Sequence, residues 1–73
     1  MKAIVWTNLG CHFCDMTKTL LKQKEIEYEE RSLAKEWKVQ DLLEAVPNAR
    51  SVPQIFLNDE YIGGYEELRK KLS

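Results

Sequence analysis

The chain has 73 residues, with 11 lysines and arginines against 12 aspartates and glutamates, so its formal net charge is −1. A near-neutral chain without a block of like charges argues against a nucleic-acid partner, whose phosphates require several basic groups. The longest apolar run, at residues 3–6, is far too short to span a membrane. We therefore predict a single domain over residues 1–73 that acts in the cytoplasm, without nucleic acid or membrane as a partner.

The first half of the chain predicts a strand, a helix and a second strand. Residues 2–7 form a strand with apolar side chains on both faces, which is typical of a central strand. A helix begins near Cys11, and two adjoining stripes at i, i+3, i+7 spacing predict its buried face. These stripes are Phe13, Met16, Leu20 and Cys14, Thr17, Leu21. Residues 26–32 alternate weakly and predict a more polar strand at an edge of the sheet.

The second half predicts a helix, a hairpin and a last helix. A helix is expected over residues 35–46, ended by Pro47, because apolar residues recur at i, i+3, i+4 and i+7. Those residues are Val39, Leu42, Leu43 and Val46. Residues 54–57 and 60–62 predict two strands joined by a turn at Asn58 and Asp59, and residues 65–72 predict a short helix. The order β-α-β-α-β-β-α predicts an α/β fold, with a mixed four-stranded sheet flanked by three helices.

Cys11 and Cys14 are the only cysteines, and a bridge between them would close too short a loop to stabilise the fold much. Residues three apart on a helix lie on one face, within the Cα separation of about 4.4–6.8 Å that a disulfide requires. Unpaired N–H groups and the helix dipole favour an anion at Cys11, so we expect its thiol pKa to lie below the free value of about 8.5. Cys11 is thus the predicted nucleophile, and the more buried Cys14 the predicted resolving cysteine.

Two other interpretations of these cysteines fit the chain less well. A closed zinc site needs about four ligands, whereas the cysteines and histidines of the chain are Cys11, Cys14 and His12 alone. Two small buried apolar residues are the second interpretation, but Cys11 lies at an exposed helix start rather than in a core stripe. We therefore predict a cycling dithiol and no metal ligand.

Three separate motifs resemble the glutaredoxins. Residues 10–14, Gly-Cys-His-Phe-Cys, resemble that family's dithiol motif, which is usually Cys-Pro-Tyr-Cys. Residues 39–53 resemble its second helix and its Thr-Val-Pro loop, and residues 62–68 resemble its closing Gly-Gly motif. The resemblance covers nearly the whole chain. It implies a thioredoxin-like fold and a glutathione-dependent oxidoreductase that reduces protein disulfides and glutathione mixed disulfides.

The resemblance also implies a binding site for glutathione. Gln40 and Arg50 would hold the glycine carboxylate, while the first N–H groups of the last helix would receive the γ-glutamyl carboxylate. Glu66 or Glu67 would bind the ammonium group. Pro53 would be cis, so that the preceding backbone could pair with an extended peptide as an added strand does. The implied binding residues are Phe13, Gln40, Arg50, Ser51, Val52, Pro53, Gly64, Tyr65, Glu66 and Glu67.

The chain departs from the family pattern around the dithiol. His12 stands in place of a Pro and, when protonated, would stabilise the Cys11 thiolate, unless it is only an exposed side chain. Asn8 lies where many relatives carry Lys or Arg, so one carboxylate-binding charge is missing. Trp37 is expected either to pack near the start of the second helix or to flank the active-site rim or a protein partner.

The resemblance implies glutathione as electron donor and no bound cofactor. The expected partners are glutathione and disulfide-containing proteins, with ribonucleotide reductase as one candidate, and the chain is expected to be a monomer. Two alternatives remain open. One is a glutaredoxin-like hydrogen donor that thioredoxin reductase reduces, and the other is an iron–sulfur cluster carrier, a role that the second cysteine disfavours.

Overall fold

The computed structural model describes residues 1–73 and contains the seven predicted elements in the predicted order. They are β1 (Lys2–Thr7), α1 (His12–Gln23), β2 (Glu27–Ser32), α2 (Val39–Ala45), β3 (Gln54–Leu57), β4 (Glu60–Gly63) and α3 (Tyr65–Leu72). None of the three helices is long and apolar enough to cross a membrane.

The four strands form one sheet in the order β2-β1-β3-β4. β1 pairs in parallel with β2 and antiparallel with β3, and β3 pairs antiparallel with β4. The predictions of a central first strand, an edge second strand and a closing hairpin are therefore confirmed. The hairpin turns at Asn58 and Asp59, whose φ values of 50° and 68° are the left-handed pair that a tight two-residue turn requires.

Successive residues of a strand point to opposite faces of the sheet, and these two faces are covered differently. α1 and α3 cover one face, called here the α1–α3 face, where seven buried apolar residues form a cluster. They are Ala3, Val5, Leu21, Ile26, Ile55, Leu57 and Leu68. α2 covers the opposite, α2 face, where the buried apolar residues are Trp6, Leu42 and Val46. Trp6 is thus a core residue, as its place in β1 predicts.

The helix predicted over residues 35–46 is shorter in the structure, because α2 begins at Val39. Residues 33–36 form turns instead, because the Ser32 carbonyl accepts the N–H groups of Lys35 and Trp37 at 3.2 and 3.3 Å. The helix begins only after Lys38, whose N–H donates to the Asp41 carboxylate at 2.9 Å. This side-chain bond satisfies a donor at the helix start and so fixes the start there.

The predicted buried stripes of α1 and α2 are only partly buried. On α1 the stripe of Cys14, Thr17 and Leu21 is buried, whereas that of Phe13, Met16 and Leu20 lies at the margin or in solvent. On α2, Leu42 and Val46 are buried, but Val39 and Leu43 are 58% and 41% exposed. A helix on a sheet buries one stripe, so the side chains beside it remain in contact with water.

Candidate functional site

Cys11 and Cys14 form a disulfide at the N-terminus of α1, with their Cα atoms 5.2 Å apart. Cys11 is the N-cap residue of the helix, and its Sγ accepts the N–H of Cys14 at 3.1 Å. The same N–H stabilises negative charge on this sulfur once the disulfide opens. Cys14 is 1% exposed and Cys11 is partly exposed, so the prediction that Cys14 is the more buried of the two is confirmed.

The loop from β1 to α1 brings Cys11 to the end of the sheet. Gly10 has a φ of 69°, a left-handed conformation in which glycine is not strained. Asn8 turns back on the loop, where its Oδ1 accepts the N–H of Leu9 at 2.8 Å. The side chain of Leu9 is 82% exposed. Neither residue carries a positive charge beside the dithiol.

Val52 provides a free backbone edge beside Cys11. The Val52–Pro53 peptide bond is cis, as the family resemblance implies. The N–H and C=O of Val52 make no backbone hydrogen bond, and the carbonyl oxygen lies 3.5 Å from the Cys11 Sγ. An extended peptide that reaches the dithiol therefore finds one donor and one acceptor ready for pairing.

Two residues that the sequence analysis did not single out hold this loop. The side-chain amide of Gln54 donates to the Ser51 carbonyl at 2.8 Å, and the Tyr61 hydroxyl donates to Gln54 Oε1 at 2.6 Å. Gln54 begins β3 and Tyr61 belongs to β4, so the hairpin anchors the loop. No motif marked these residues, because the contact depends on the register of the two strands.

Eight of the ten residues that the resemblance assigned to glutathione line one cavity of about 250 Å³, which we call the α3 groove. They are Phe13, Ser51, Val52, Pro53, Gly64, Tyr65, Glu66 and Glu67. The ring centroids of Phe13 and Tyr65 lie 5.9 Å apart, and the two rings form the aromatic wall of the groove. The groove therefore lies between Phe13 of the dithiol motif, the Pro53 loop and the start of α3.

The N-terminus of α3 lines the α3 groove, and one of its backbone N–H groups already has an acceptor. The N–H of Gly64 donates to Glu67 Oε1 at 2.8 Å, and the Glu66 carboxylate accepts from Arg69 at 2.9 Å. This hydrogen bond raises the pKa of Arg69. The next N–H groups of α3 have no acceptor within the helix and can receive an anion.

The other two assigned residues lie outside the α3 groove. Arg50 lines a neighbouring cavity of about 210 Å³, which shares Ser51 and Val52 with the α3 groove. Gln40 is an exposed residue in the first turn of α2 and lines neither cavity. Nine of the ten predicted residues therefore line two adjoining cavities, whereas Gln40 lines neither.

Charged side chains of β2 form two ion pairs away from these cavities. Glu30 in β2 accepts the Thr7 hydroxyl at 2.8 Å and Lys18 Nζ at 3.2 Å. Partial burial works to raise the pKa of Glu30, but these bonds outweigh it and hold the pKa below its ordinary value of 4.5. On the other face Arg31 donates to Glu29 at 2.6 Å, which lowers the pKa of Glu29.

Trp37 packs against the sheet rather than at the active site. Its ring meets that of Trp6 edge to face, with centroids 5.2 Å apart, so packing near the start of α2 is the correct alternative. No group of three or more His, Cys, Asp or Glu side chains is arranged to hold a metal ion.

Known proteins of one family resemble the chain in sequence and in fold. The sequence model described as Glutaredoxin matches residues 3–62. A probable glutaredoxin of Synechocystis is 34% identical over 68 residues, which are 92% of this chain and 77% of that protein. The buckwheat glutaredoxin–glutathione complex superposes with a TM-score of 0.81 at 26% identity, over 96% of this chain and 66% of that one.

A third match shares the fold alone. The NrdH-redoxin of Escherichia coli, described as a glutaredoxin-like protein with a thioredoxin-like activity profile, superposes with a TM-score of 0.77 at 19% identity. It covers 100% of this chain and 96% of that one, so the two proteins are of similar size.

The fold and the helix-terminal dithiol define a thiol–disulfide oxidoreductase with a thioredoxin-like fold. The redox-active pair is Cys11 and Cys14. The chain belongs to the glutaredoxin family, as the match over residues 3–62 shows.

Proposed function

We propose that the protein is a monomeric glutathione-dependent oxidoreductase that reduces glutathione mixed disulfides and protein disulfides. The single observation that carries this proposal is the α3 groove, which is lined both by the N-terminus of α3 and by Val52, whose free carbonyl oxygen lies 3.5 Å from the Cys11 Sγ. A small peptide with a central cysteine could pair with Val52 while its sulfur reaches Cys11.

The reaction begins when the Cys11 thiolate attacks one sulfur of the substrate disulfide. A bond forms between the Cys11 Sγ and that sulfur, and the other substrate sulfur leaves as a thiolate and takes a proton from water. The Cys14 N–H, which lies 3.1 Å from the Cys11 Sγ, stabilises the attacking thiolate before the step.

The mixed disulfide can then be resolved in two ways. Cys14 can lose its proton and attack the Cys11 Sγ, which forms the internal disulfide and releases the substrate sulfur as a thiol. Alternatively, the thiolate of glutathione attacks a Cys11–glutathione disulfide, which restores Cys11 and releases glutathione disulfide. Two glutathione molecules reduce the internal disulfide by the same two exchanges, so glutathione is the electron donor and no bound cofactor takes part.

The charges around the α3 groove support a zwitterionic peptide as substrate. The free N–H groups of α3 suit the γ-glutamyl carboxylate, and the carboxylates of Glu66 and Glu67 suit its ammonium group. Arg50 lies on the opposite side of Val52, where the glycine carboxylate of such a peptide would end. If the ammonium group binds to Glu66, it must share that carboxylate with Arg69 or displace Arg69 from it.

A second candidate function is a hydrogen donor that thioredoxin reductase reduces, with ribonucleotide reductase as one acceptor. The absence of a basic side chain at Asn8 favours it, because a carboxylate of glutathione loses a partner there. Gln40 also lines neither the α3 groove nor the neighbouring cavity, so the glycine carboxylate of glutathione loses a second assigned partner.

The two candidates are separated by offering both electron donors to the same protein. The oxidised protein is mixed with NADPH and either glutathione with glutathione reductase or thioredoxin reductase alone, and a small mixed disulfide is added. We expect turnover with glutathione, none for Cys11→Ser, and retained turnover for Cys14→Ser with a glutathionylated substrate. Turnover with thioredoxin reductase and none with glutathione would establish the second function.

A further inference from the structure

The cavity on the α2 side of Val52, called here the α2 groove, has mostly apolar walls. Six of its nine lining residues are apolar, and the cavity measures about 210 Å³. Val39 and Leu43 form part of its wall and are 58% and 41% exposed, although both lie on the apolar stripe of α2. Helix α2 thus keeps part of its apolar surface in water beside the redox centre.

The position of the α2 groove identifies what can enter it. Val52 lines both this groove and the α3 groove, and its carbonyl oxygen lies 3.5 Å from the Cys11 Sγ. An extended chain advances about 3.3–3.6 Å per residue. A peptide whose cysteine reacts with Cys11 therefore places its neighbouring residues in the two grooves, one on each side.

Charge supports a polypeptide in the α2 groove. Arg50 is its only charged lining residue, and Asn8 and Ser51 are its only uncharged polar ones. Glutathione would place its terminal glycine there, which has no side chain to cover Val39 or Leu43. A polypeptide places a side chain at this point and can offer Arg50 an acidic group further along.

We propose that the α2 groove binds an apolar side chain on the carboxyl side of the reactive cysteine in a protein disulfide. This inference deepens the proposed function and rests on it for direction, because the γ-glutamyl end of glutathione is assigned to the α3 groove. The occupant is an extended substrate segment with an apolar residue after its cysteine and an acidic residue beyond. Burial of that side chain against Leu43 and Val39 drives the preference.

The preference can be measured with two blocked peptides that differ in one residue. Each carries a cysteine joined by a disulfide to 2-nitro-5-thiobenzoate, followed by leucine and glutamate in one peptide and by glycine and glutamate in the other. Attack of Cys11 on the peptide sulfur forms the mixed disulfide and releases the coloured thiolate. We expect the reduced protein to react about tenfold faster with the leucine peptide.

Substitutions in the wall of the α2 groove test whether this groove causes the preference for the leucine peptide. Leu43→Gln is expected to reduce the tenfold ratio to about two, and Val39→Thr, a nearly isosteric change at a more exposed position, to reduce it in part. Leu9→Gln is the matched control, because Leu9 is exposed beside the dithiol loop but does not line the groove. We expect this control to keep the full ratio.

Equal rates for the two peptides, or a ratio that survives both substitutions, would overturn the inference. A dimer in sedimentation that Leu43→Gln dissociates would also overturn it, because a second copy would then occupy the groove. The glutathione-coupled assay on the same preparation separates the two proposals. Turnover with glutathione without a leucine preference refutes this inference alone, whereas a preference without glutathione turnover refutes the proposed electron donor alone.

Discussion

The two faces of the sheet are built from different kinds of contact. The α1–α3 face buries seven apolar residues, all of them aliphatic, and it supports the helix that carries Cys14. The α2 face buries only Trp6, Leu42 and Val46. The reactive pair is therefore attached to the well-packed face, whereas apolar side chains near the redox centre remain in solvent on the other face.

Aromatic and charged contacts supplement the small core of the α2 face. The guanidinium carbon of Arg31 lies 4.4 Å from the ring centroid of Trp37 and 5.2 Å from that of Trp6. Glu29 holds the same guanidinium by a hydrogen bond. Such contacts stabilise a face that has little aliphatic core, because a guanidinium is weakly hydrated and stacks on aromatic rings.

Truncation of one leucine on each face gives the largest expected difference. Leu21 on the α1–α3 face is fully buried, whereas Leu42 on the α2 face borders the α2 groove. We expect Leu21→Ala to lower the free energy of unfolding by about 4 kcal/mol and Leu42→Ala by about 2 kcal/mol, because a cavity at an open site collapses or fills with water. Urea unfolding measures both, and equal losses would remove the contrast between the faces.

Arg31→Gln tests the charged contacts of the α2 face. The change removes the cation from both tryptophan rings, and we expect the free energy of unfolding to fall by about 1 kcal/mol. The hydrogen bond from Arg31 is the first cause of the lowered pKa of Glu29, so that pKa should rise in the variant. Unfolding curves and a carboxyl titration by NMR measure the two effects. An unchanged Glu29 titration would mean that the pair does not persist in solution.

Glu30→Gln on the α1–α3 side of the sheet should have the smallest effect. Glu30 is partly exposed, so we expect a loss of about 0.5 kcal/mol at pH 7. Because the folded pKa of Glu30 lies below its ordinary value of 4.5, its contribution is complete above that value and is lost as the pH falls through the folded pKa. The difference between variant and wild type should therefore disappear in acid. A difference that is constant down to low pH would exclude this ionic origin.

The fold could be predicted largely because its patterns are local. Alternation, helical periodicity and the turn at Asn58 gave the element order, and the motif around Pro53 carried its cis bond. The start of α2 could not be predicted, because Ser32 accepts the N–H groups of Lys35 and Trp37 and Asp41 accepts that of Lys38, and periodicity does not reveal these bonds.

The site could be predicted where neighbouring residues in sequence act together and not where strands or helices bring distant ones together. Motif residues around Cys11 and Gly64 meet in one groove as the resemblance implied. Gln54 and Tyr61 meet through the register of the hairpin, and Gln40 lies apart through the orientation of a shortened α2. The positions of these residues depend on the tertiary structure, which no single segment of the sequence determines.

The central claim is that Cys11 exchanges disulfides with glutathione, and one trapping measurement tests it directly. Reduced Cys14→Ser protein is incubated with glutathione disulfide, and intact mass and peptide mapping follow the product. We predict one glutathione attached to Cys11, removed again by excess glutathione, and no comparable adduct in Cys11→Ser. An unmodified Cys11, or equal labelling of Cys14 in the Cys11→Ser protein, would contradict the account.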